Sequence, residues 1–135
     1  MVLRQTDSAI DAFKKQAELD PYDEFAYDSL GWAYTTQRKY DDAAAAFNKA
    51  IEINPLSQYA HGALGGMYQE SHQYDKAVSE LEKAVSLKRN DAGLQINLGD
   101  AYLNTGQDEK ALAAFNRATE ISATPDVWNM SLIHI

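Results

Sequence analysis

Three histidines are the side chains of this chain best suited to bind a metal ion or to exchange a proton near neutral pH. His61 and His72 are eleven residues apart, which is about 16 Å along a helix that rises 1.5 Å per residue. Ligands of one metal ion each lie only about 2 Å from it, so these two histidines are not expected to share a metal. His134 stands alone near the end of the sequence. The histidine spacing therefore predicts no metal centre.

Other catalytic patterns are absent from the sequence as well. The glycine-rich stretch 62–66 lacks the Lys-Ser/Thr pair of a phosphate-binding loop and falls inside a predicted helix. No Gly-x-Ser-x-Gly elbow and no Asp-rich calcium loop occurs. The adjacent acids Asp41 and Asp42 are better explained by the start of a helix than by acid-base chemistry. We therefore expect neither enzymatic activity nor a cofactor.

Composition favours a soluble, folded module of one domain. Of its 135 residues 45% are hydrophobic, which is enough for a core, and the formal net charge is -8. Its 12 Lys and Arg residues are scattered, so nucleic acid is not an expected partner. No apolar run is long enough to span a membrane, and residues 1–6 lack the apolar core of a signal peptide. The absence of cysteine is compatible with the cytoplasm, which we favour slightly, or with the periplasm if the parent protein is secreted.

The most regular feature is a Leu-Gly-x-x-Tyr signature that occurs three times at a spacing of 34 residues. The copies are Leu30-Gly31-Tyr34, Leu64-Gly65-Tyr68 and Leu98-Gly99-Tyr102. The same spacing relates Ala43, Ala77 and Ala111, then Phe47, Leu81 and Phe115, then Ala50, Ala84 and Ala118. A fixed period of this length indicates stacked repeats. These residues resemble the tetratricopeptide repeat, and the resemblance covers nearly the whole chain.

The resemblance implies an all-α, right-handed superhelical solenoid of antiparallel helix pairs. We expect a single domain, 1–135, with three full repeats and a half repeat at each end. The predicted units are an orphan second helix at 7–21, repeats at 24–57, 58–91 and 92–125, and an orphan first helix at 125–135. The helices of the full repeats are predicted at 23–37, 41–53, 57–71, 74–87, 91–105 and 108–121.

Glycine in the signature predicts where the two helices of a repeat cross. Gly31, Gly65 and Gly99 lack a Cβ atom, so the second helix can approach the first closely. This explains a residue that costs about 1 kcal/mol in a helix interior relative to alanine. Near the end of the sequence, Thr124 and Pro125 form an N-cap and first-turn pair that predicts a new helix start. Since the sequence starts and ends on half repeats, we expect it to be a segment of a longer protein.

In the tetratricopeptide family the first helices line a concave groove that binds a peptide or a protein segment. The groove positions implied here are Phe25, Asp28, Trp32, Thr35, Tyr59, Gly62, Gly66, Gln69, Glu70, Ile96, Asp100, Leu103 and Asn104. This set contains three acids and no Lys or Arg, so we expect a basic and apolar ligand. The alternative for Phe25 and Tyr59 is that they pack between neighbouring repeats.

Some members of the family hold the C-terminal carboxylate of a chaperone with a Lys-Asn clamp. The corresponding positions here are Asp28, Trp32, Ala63, Gly93 and Asn97. Because none of them is basic, we expect no binding of chaperone tails in that way.

Two other functions stay open. Complementary apolar surfaces at the terminal helices, with Phe13 at one end and Trp128, Leu132 and Ile135 at the other, predict weak head-to-tail self-association. Alternatively, the array is an accessory region of a larger multidomain enzyme.

Overall fold

Seven helices joined by short turns make up the described part of the chain. The structure is a computed structural model that describes the backbone of residues 2–133 and the side chains of residues 5–123. The helices are α1 (Val2–Leu19), α2 (Glu24–Thr36), α3 (Tyr40–Ile53), α4 (Gln58–Glu70), α5 (Tyr74–Leu87), α6 (Ala92–Asn104) and α7 (Asp108–Ile133). Residues 2–133 contain no strand. The predicted all-α solenoid of helix pairs is confirmed.

Each helix packs on its neighbours in the chain, which makes the arrangement sequential. The pairs α2 with α3, α4 with α5 and α6 with α7 correspond to the three predicted repeats, and α1 packs on α2. In addition, α2 contacts α4, and α4 contacts α6. The first helices of the three pairs therefore form one layer, and that layer is the predicted binding surface.

The first helices share one type of N-cap. Asp23, Ser57 and Asp91 have extended backbones, and each side chain accepts a hydrogen bond from the backbone N–H three residues later. Such a cap stabilises a helix by about 1 kcal/mol because it satisfies an N–H group that has no partner within the helix. The three caps therefore fix where α2, α4 and α6 begin.

Each helix pair crosses at the glycine of its signature. A Cβ atom on Gly31 would lie 2.5 Å from the Phe47 ring, and one on Gly99 would lie 2.6 Å from the Phe115 ring. In the middle repeat, Gly65 faces a leucine at a similar distance. No real Cβ atom approaches another atom so closely, so the predicted close approach of the second helix is confirmed.

The ends of the chain differ from the prediction. α1 begins at Val2, before the expected start at residue 7, and α7 runs without a break from Asp108 to Ile133. The prediction that a helix ends at residue 121 and a new one starts at Pro125 was therefore wrong. Pro125 follows the α6 cap residue Asp91 by one repeat length, and proline has no side-chain acceptor to offer at this capping position. The division into three repeats with two half repeats stays a prediction.

Candidate peptide-binding surface

Large apolar side chains remain exposed on the layer of first helices. Phe25 and Trp32 are 67% and 46% exposed on α2, and Tyr59 is 50% exposed on α4. On α6, Ile96 and Leu103 are 46% and 50% exposed. Residues seven apart lie on the same side of a helix, so each helix presents its exposed residues on one side. We use the name first-helix surface for these five apolar residues together with Asp28, Gly66 and Asp100, that is, for Phe25, Asp28, Trp32, Tyr59, Gly66, Ile96, Asp100 and Leu103. A cluster of exposed apolar side chains is typical of an interaction site.

Contacts between helices hold the aromatic residues of this surface in place. Trp32 Nε1 donates a hydrogen bond of 2.5 Å to the Tyr59 hydroxyl, which joins α2 to α4. The Trp32 ring also meets the Phe47 ring edge-on, with centroids 6.4 Å apart. Phe25 meets Phe13 of α1 in the same geometry at 6.5 Å. Phe25 and Tyr59 thus contact neighbouring helices and still expose half or more of their surface, so the two interpretations of these residues are compatible.

Asp28 is the buried acid of the surface. The residue is only 6% exposed, and its Oδ1 atom has no hydrogen-bond partner among the described residues. Burial, and to a smaller extent the nearby charge of Glu24, raise the pKa of Asp28 to about 7. A cavity of about 400 Å³ lies beside it, lined by Glu24, Phe25, Asp28, Ser29 and Tyr59. Asp28 is therefore not the freely exposed groove acid that the sequence predicted.

Two other predicted groove positions are buried as well. Thr35 is 4% exposed, and its Oγ1 donates a 2.8 Å hydrogen bond to the Gly31 carbonyl oxygen of its own helix. Gly62 of α4 packs against α6, because a Cβ atom on this residue would lie 2.8 Å from Leu94 Cδ2. Neither residue lines an open groove, and the prediction for both was wrong. In contrast, a Cβ atom on Gly66 would have no atom within 4 Å.

The polar positions near the C-terminal ends of α4 and α6 lie together. Gln69 donates a hydrogen bond of 3.2 Å to the Asn97 carbonyl and accepts one of 3.3 Å from the Asn104 amide. Glu70 and Asp100 are exposed. This part of the surface is polar and acidic, whereas the part formed by α2 and the start of α4 is aromatic.

The two histidines among the described side chains, His61 and His72, take part in helix packing and in a turn. His61 Nδ1 lies 2.7 Å from Glu80 Oε2, and His61 Nε2 lies 3.0 Å from the Pro55 carbonyl oxygen, so this buried ring joins α4 to α5 and to the turn before α4. His72 occupies the turn after α4, where its φ angle is 63°. Within the described residues, no group of three His, Asp or Glu side chains could hold a metal ion.

Sequence reasoning missed two residues that line the cavity, Glu24 and Ser29. Both lie next to a predicted position on α2 and four residues from another, Glu24 from Asp28 and Ser29 from Phe25. The sequence did contain one signal, since Glu24 precedes Asp28 by a single helical turn. Of the residues predicted for self-association, Phe13 is half-buried against α2. The side chains of Trp128, Leu132 and Ile135 lie outside the described ones.

A repetitive array of helix pairs with an exposed aromatic surface is the architecture of a helical-repeat scaffold. Two family models, each described as a tetratricopeptide repeat, match residues 26–55 and residues 68–131. Together the two matches span more than half of the 135 residues. The chain belongs to the tetratricopeptide repeat family.

Solved structures with the same fold agree with this assignment. A crystal structure of MamA is 29% identical, covers 90% of this chain and 71% of that chain, and superposes with a TM-score of 0.84. A second crystal structure of the MamA protein is 30% identical and covers 86% of this chain and 63% of that chain, with a TM-score of 0.79. The structure of the MamA RS-1 ArsTM double mutant covers 91% of this chain and 69% of that chain with a TM-score of 0.84. Its sequence identity is only 21%, so it shows the fold alone. No curated protein matches the chain.

The family defines the general role of the chain. Tetratricopeptide arrays are scaffolds for protein-protein interaction, and their fold is generally non-catalytic. Among the described residues, no helix has the length and apolar content needed to cross a membrane.

Proposed function

We propose that this chain is a non-enzymatic interaction module that binds a segment of a partner protein on its first-helix surface. The observation that supports this proposal is the row of exposed aromatic residues, Phe25, Trp32 and Tyr59, on two adjacent helices. Aromatic side chains are frequent among the residues that contribute most to binding, because they bury a large area and lose little conformational freedom.

The charge of the three first helices indicates the chemistry of the partner. α2, α4 and α6 together contain four acids and no Lys or Arg. Acidic and basic surfaces attract each other and repel surfaces of like charge, which affects both specificity and the rate of association. The partner segment is therefore apolar with flanking basic residues, and an acidic segment is rejected.

The aromatic residues are ordered before the partner arrives. The hydrogen bond between Trp32 and Tyr59 and the edge-on contact between Trp32 and Phe47 restrict the indole ring. Less conformational entropy is then lost on binding, because the ring already has a defined position. The surface thus acts as a preformed receptor for the partner segment.

Binding to synthetic peptides tests this function. An array of peptides with an aromatic or aliphatic anchor, flanked by basic, neutral or acidic residues, is probed with the full chain. We expect binding to increase with basic charge and to weaken at least tenfold in Trp32→Ala, as expected for loss of a central anchor worth more than about 1.4 kcal/mol. Leu112→Ala is the matched control, because Leu112 is 62% exposed but lies on α7. Preference for acidic peptides, or equal losses in the two variants, would contradict the proposal.

A further inference from the structure

Asp28 combines burial with the lack of a partner. The residue is only 6% exposed, and its Oδ1 atom has no hydrogen-bond donor among the described residues. Buried carboxylates in folded proteins are nearly always paired or hydrogen-bonded, because an isolated buried charge is costly. Within the described residues, the charged group that acts on Asp28 is Glu24, which repels it. A positive group is therefore missing from its surroundings.

The cavity beside Asp28 has the walls that a long cationic side chain needs. It measures about 400 Å³ and is lined by two aromatic residues, Phe25 and Tyr59, and by Glu24, Asp28 and Ser29. Pockets for small ligands start at about 300 Å³, so one side chain fits. Aromatic rings attract cations and also pack against the methylene groups of lysine or arginine. The lining residues include no base.

We propose that this cavity is a socket for one lysine or arginine side chain of the partner segment. The aliphatic stem packs between Phe25 and Tyr59, and the charged end donates hydrogen bonds to the Asp28 carboxylate. This inference rests on the proposed binding of a partner at the first-helix surface. It adds a defined position for one basic residue, whereas the overall acidic charge of the surface predicts only a general preference.

Occupation of the socket is linked to pH. The pKa of Asp28 is raised to about 7, and a cation binds the ionised form. If only that form binds, the competent fraction rises from about 3% at pH 5.5 to about 90% at pH 8, an increase in affinity of about 30-fold. Glu24 of α2 and Tyr59 of α4 are the other titratable residues that line the cavity, and α1 and α3 contribute none of its lining residues.

Small cations test the socket independently of any peptide. n-Butylammonium and n-butylguanidinium are titrated into the isotopically labelled full chain and followed by NMR, with n-butanol as the uncharged probe. We expect both cations, and not the alcohol, to shift the amide signals of residues 24–29 and 59, with an affinity about 30-fold higher at pH 8 than at pH 5.5. At a cation concentration about ten times the Kd, the titration midpoint of the Asp28 carboxyl carbon should fall by about one pH unit.

Two variants identify the residue responsible. In Asp28→Asn the affinity for the cations should fall by at least tenfold and lose its pH dependence, while Asp75→Asn, which alters an exposed acid of the second helix α5, should keep both. If Asp28→Asn does not fold, Phe25→Leu is used instead. Phe25 is 67% exposed, and its replacement removes one aromatic wall of the cavity. In this variant the affinity for the cations should decrease, and its pH dependence should remain.

The outcomes separate the socket from the proposed function. Equal shifts with n-butanol and n-butylammonium, or a pH dependence that persists in Asp28→Asn, would reject the socket and show that Asp28 is a neutral buried acid only. In that case the peptide array can still show binding at the first-helix surface. Conversely, cation binding at Asp28 without any peptide binding would support the socket and reject the wider function.

Discussion

Two adjacent glycines of α4 make a matched pair that tests the packing of the array. Gly65 and Gly66 lie in the same helical turn, so replacing either with alanine gains the same intrinsic helix stability, about 1 kcal/mol. Their surroundings differ. A Cβ atom on Gly65 would lie 2.6 Å from Leu81 Cγ, whereas one on Gly66 would meet nothing within 4 Å.

The difference between the two alanine variants isolates the cost of overcrowding the helix crossing. Leu81 is 0% exposed, so it cannot move aside into solvent, and inserting an atom into a packed core costs about 1–3 kcal/mol. Gly66→Ala should therefore raise the free energy of unfolding by about 1 kcal/mol. Gly65→Ala should be about 1–3 kcal/mol less stable than Gly66→Ala.

Urea unfolding followed by circular dichroism measures both variants against the parent chain. For a chain of this size, 1 kcal/mol corresponds to about 3–4 °C in Tm, so thermal unfolding gives a second reading. If Gly65→Ala were as stable as Gly66→Ala, the close approach of α5 to α4 at Gly65 would be refuted. Unchanged peptide binding by Gly66→Ala would show in addition that the open space at Gly66 does not serve the ligand.

Three further predictions concern separate features. Because the pKa of Asp28 is raised on folding, its contribution to stability is present below the unfolded value of 3.8 and is lost as the pH rises through about 7. Asp28→Asn should therefore be more stable than the parent chain at pH 8 by about 1–4 kcal/mol, since one pKa unit corresponds to about 1.36 kcal/mol. A gain in the free energy of unfolding that is smaller at pH 8 than at pH 4 would contradict this. His72→Gly should raise the free energy of unfolding by up to about 1 kcal/mol, because His72 has a φ of 63° that glycine adopts without strain. A lower free energy of unfolding for the variant in urea would contradict this. Head-to-tail self-association predicts a molar mass that increases with concentration in light scattering, and a constant monomer mass would reject it.

The repeated elements of the fold could be predicted because each copy supports the other two. The Leu-Gly-x-x-Tyr signature predicted the helix pairs, and its glycines predicted where the two helices of each pair cross. The structure adds the residues that these glycines face, which are Phe47, Leu81 and Phe115. The end of α7 was not predicted, because the last copy lacks the capping side chain that Ser57 supplies to α4. Residues 125–135 were predicted as only half a repeat, so no full copy was present there to correct the prediction.

The degree of burial of individual residues on the first helices could not be predicted from the sequence. Helical spacing tells which side of a helix a residue occupies, but it does not tell what the next helix places over it. Asp28 is buried beside Tyr59, and Gly62 is buried under Leu94, although Ile96 at the equivalent place in the third repeat is exposed. These differences depend on the size of side chains in the neighbouring repeat, which a pattern within one helix does not contain.

We propose that the partner segment binds to the layer formed by α2, α4 and α6. The most direct test is an NMR map of the full chain with the tightest-binding peptide from the basic and apolar array. We expect the largest shifts at Trp32, Tyr59 and Ile96, and we expect the Trp32 indole N–H signal to move. Shifts confined to the second helices α3, α5 and α7, with an unchanged Trp32 indole signal, would contradict it.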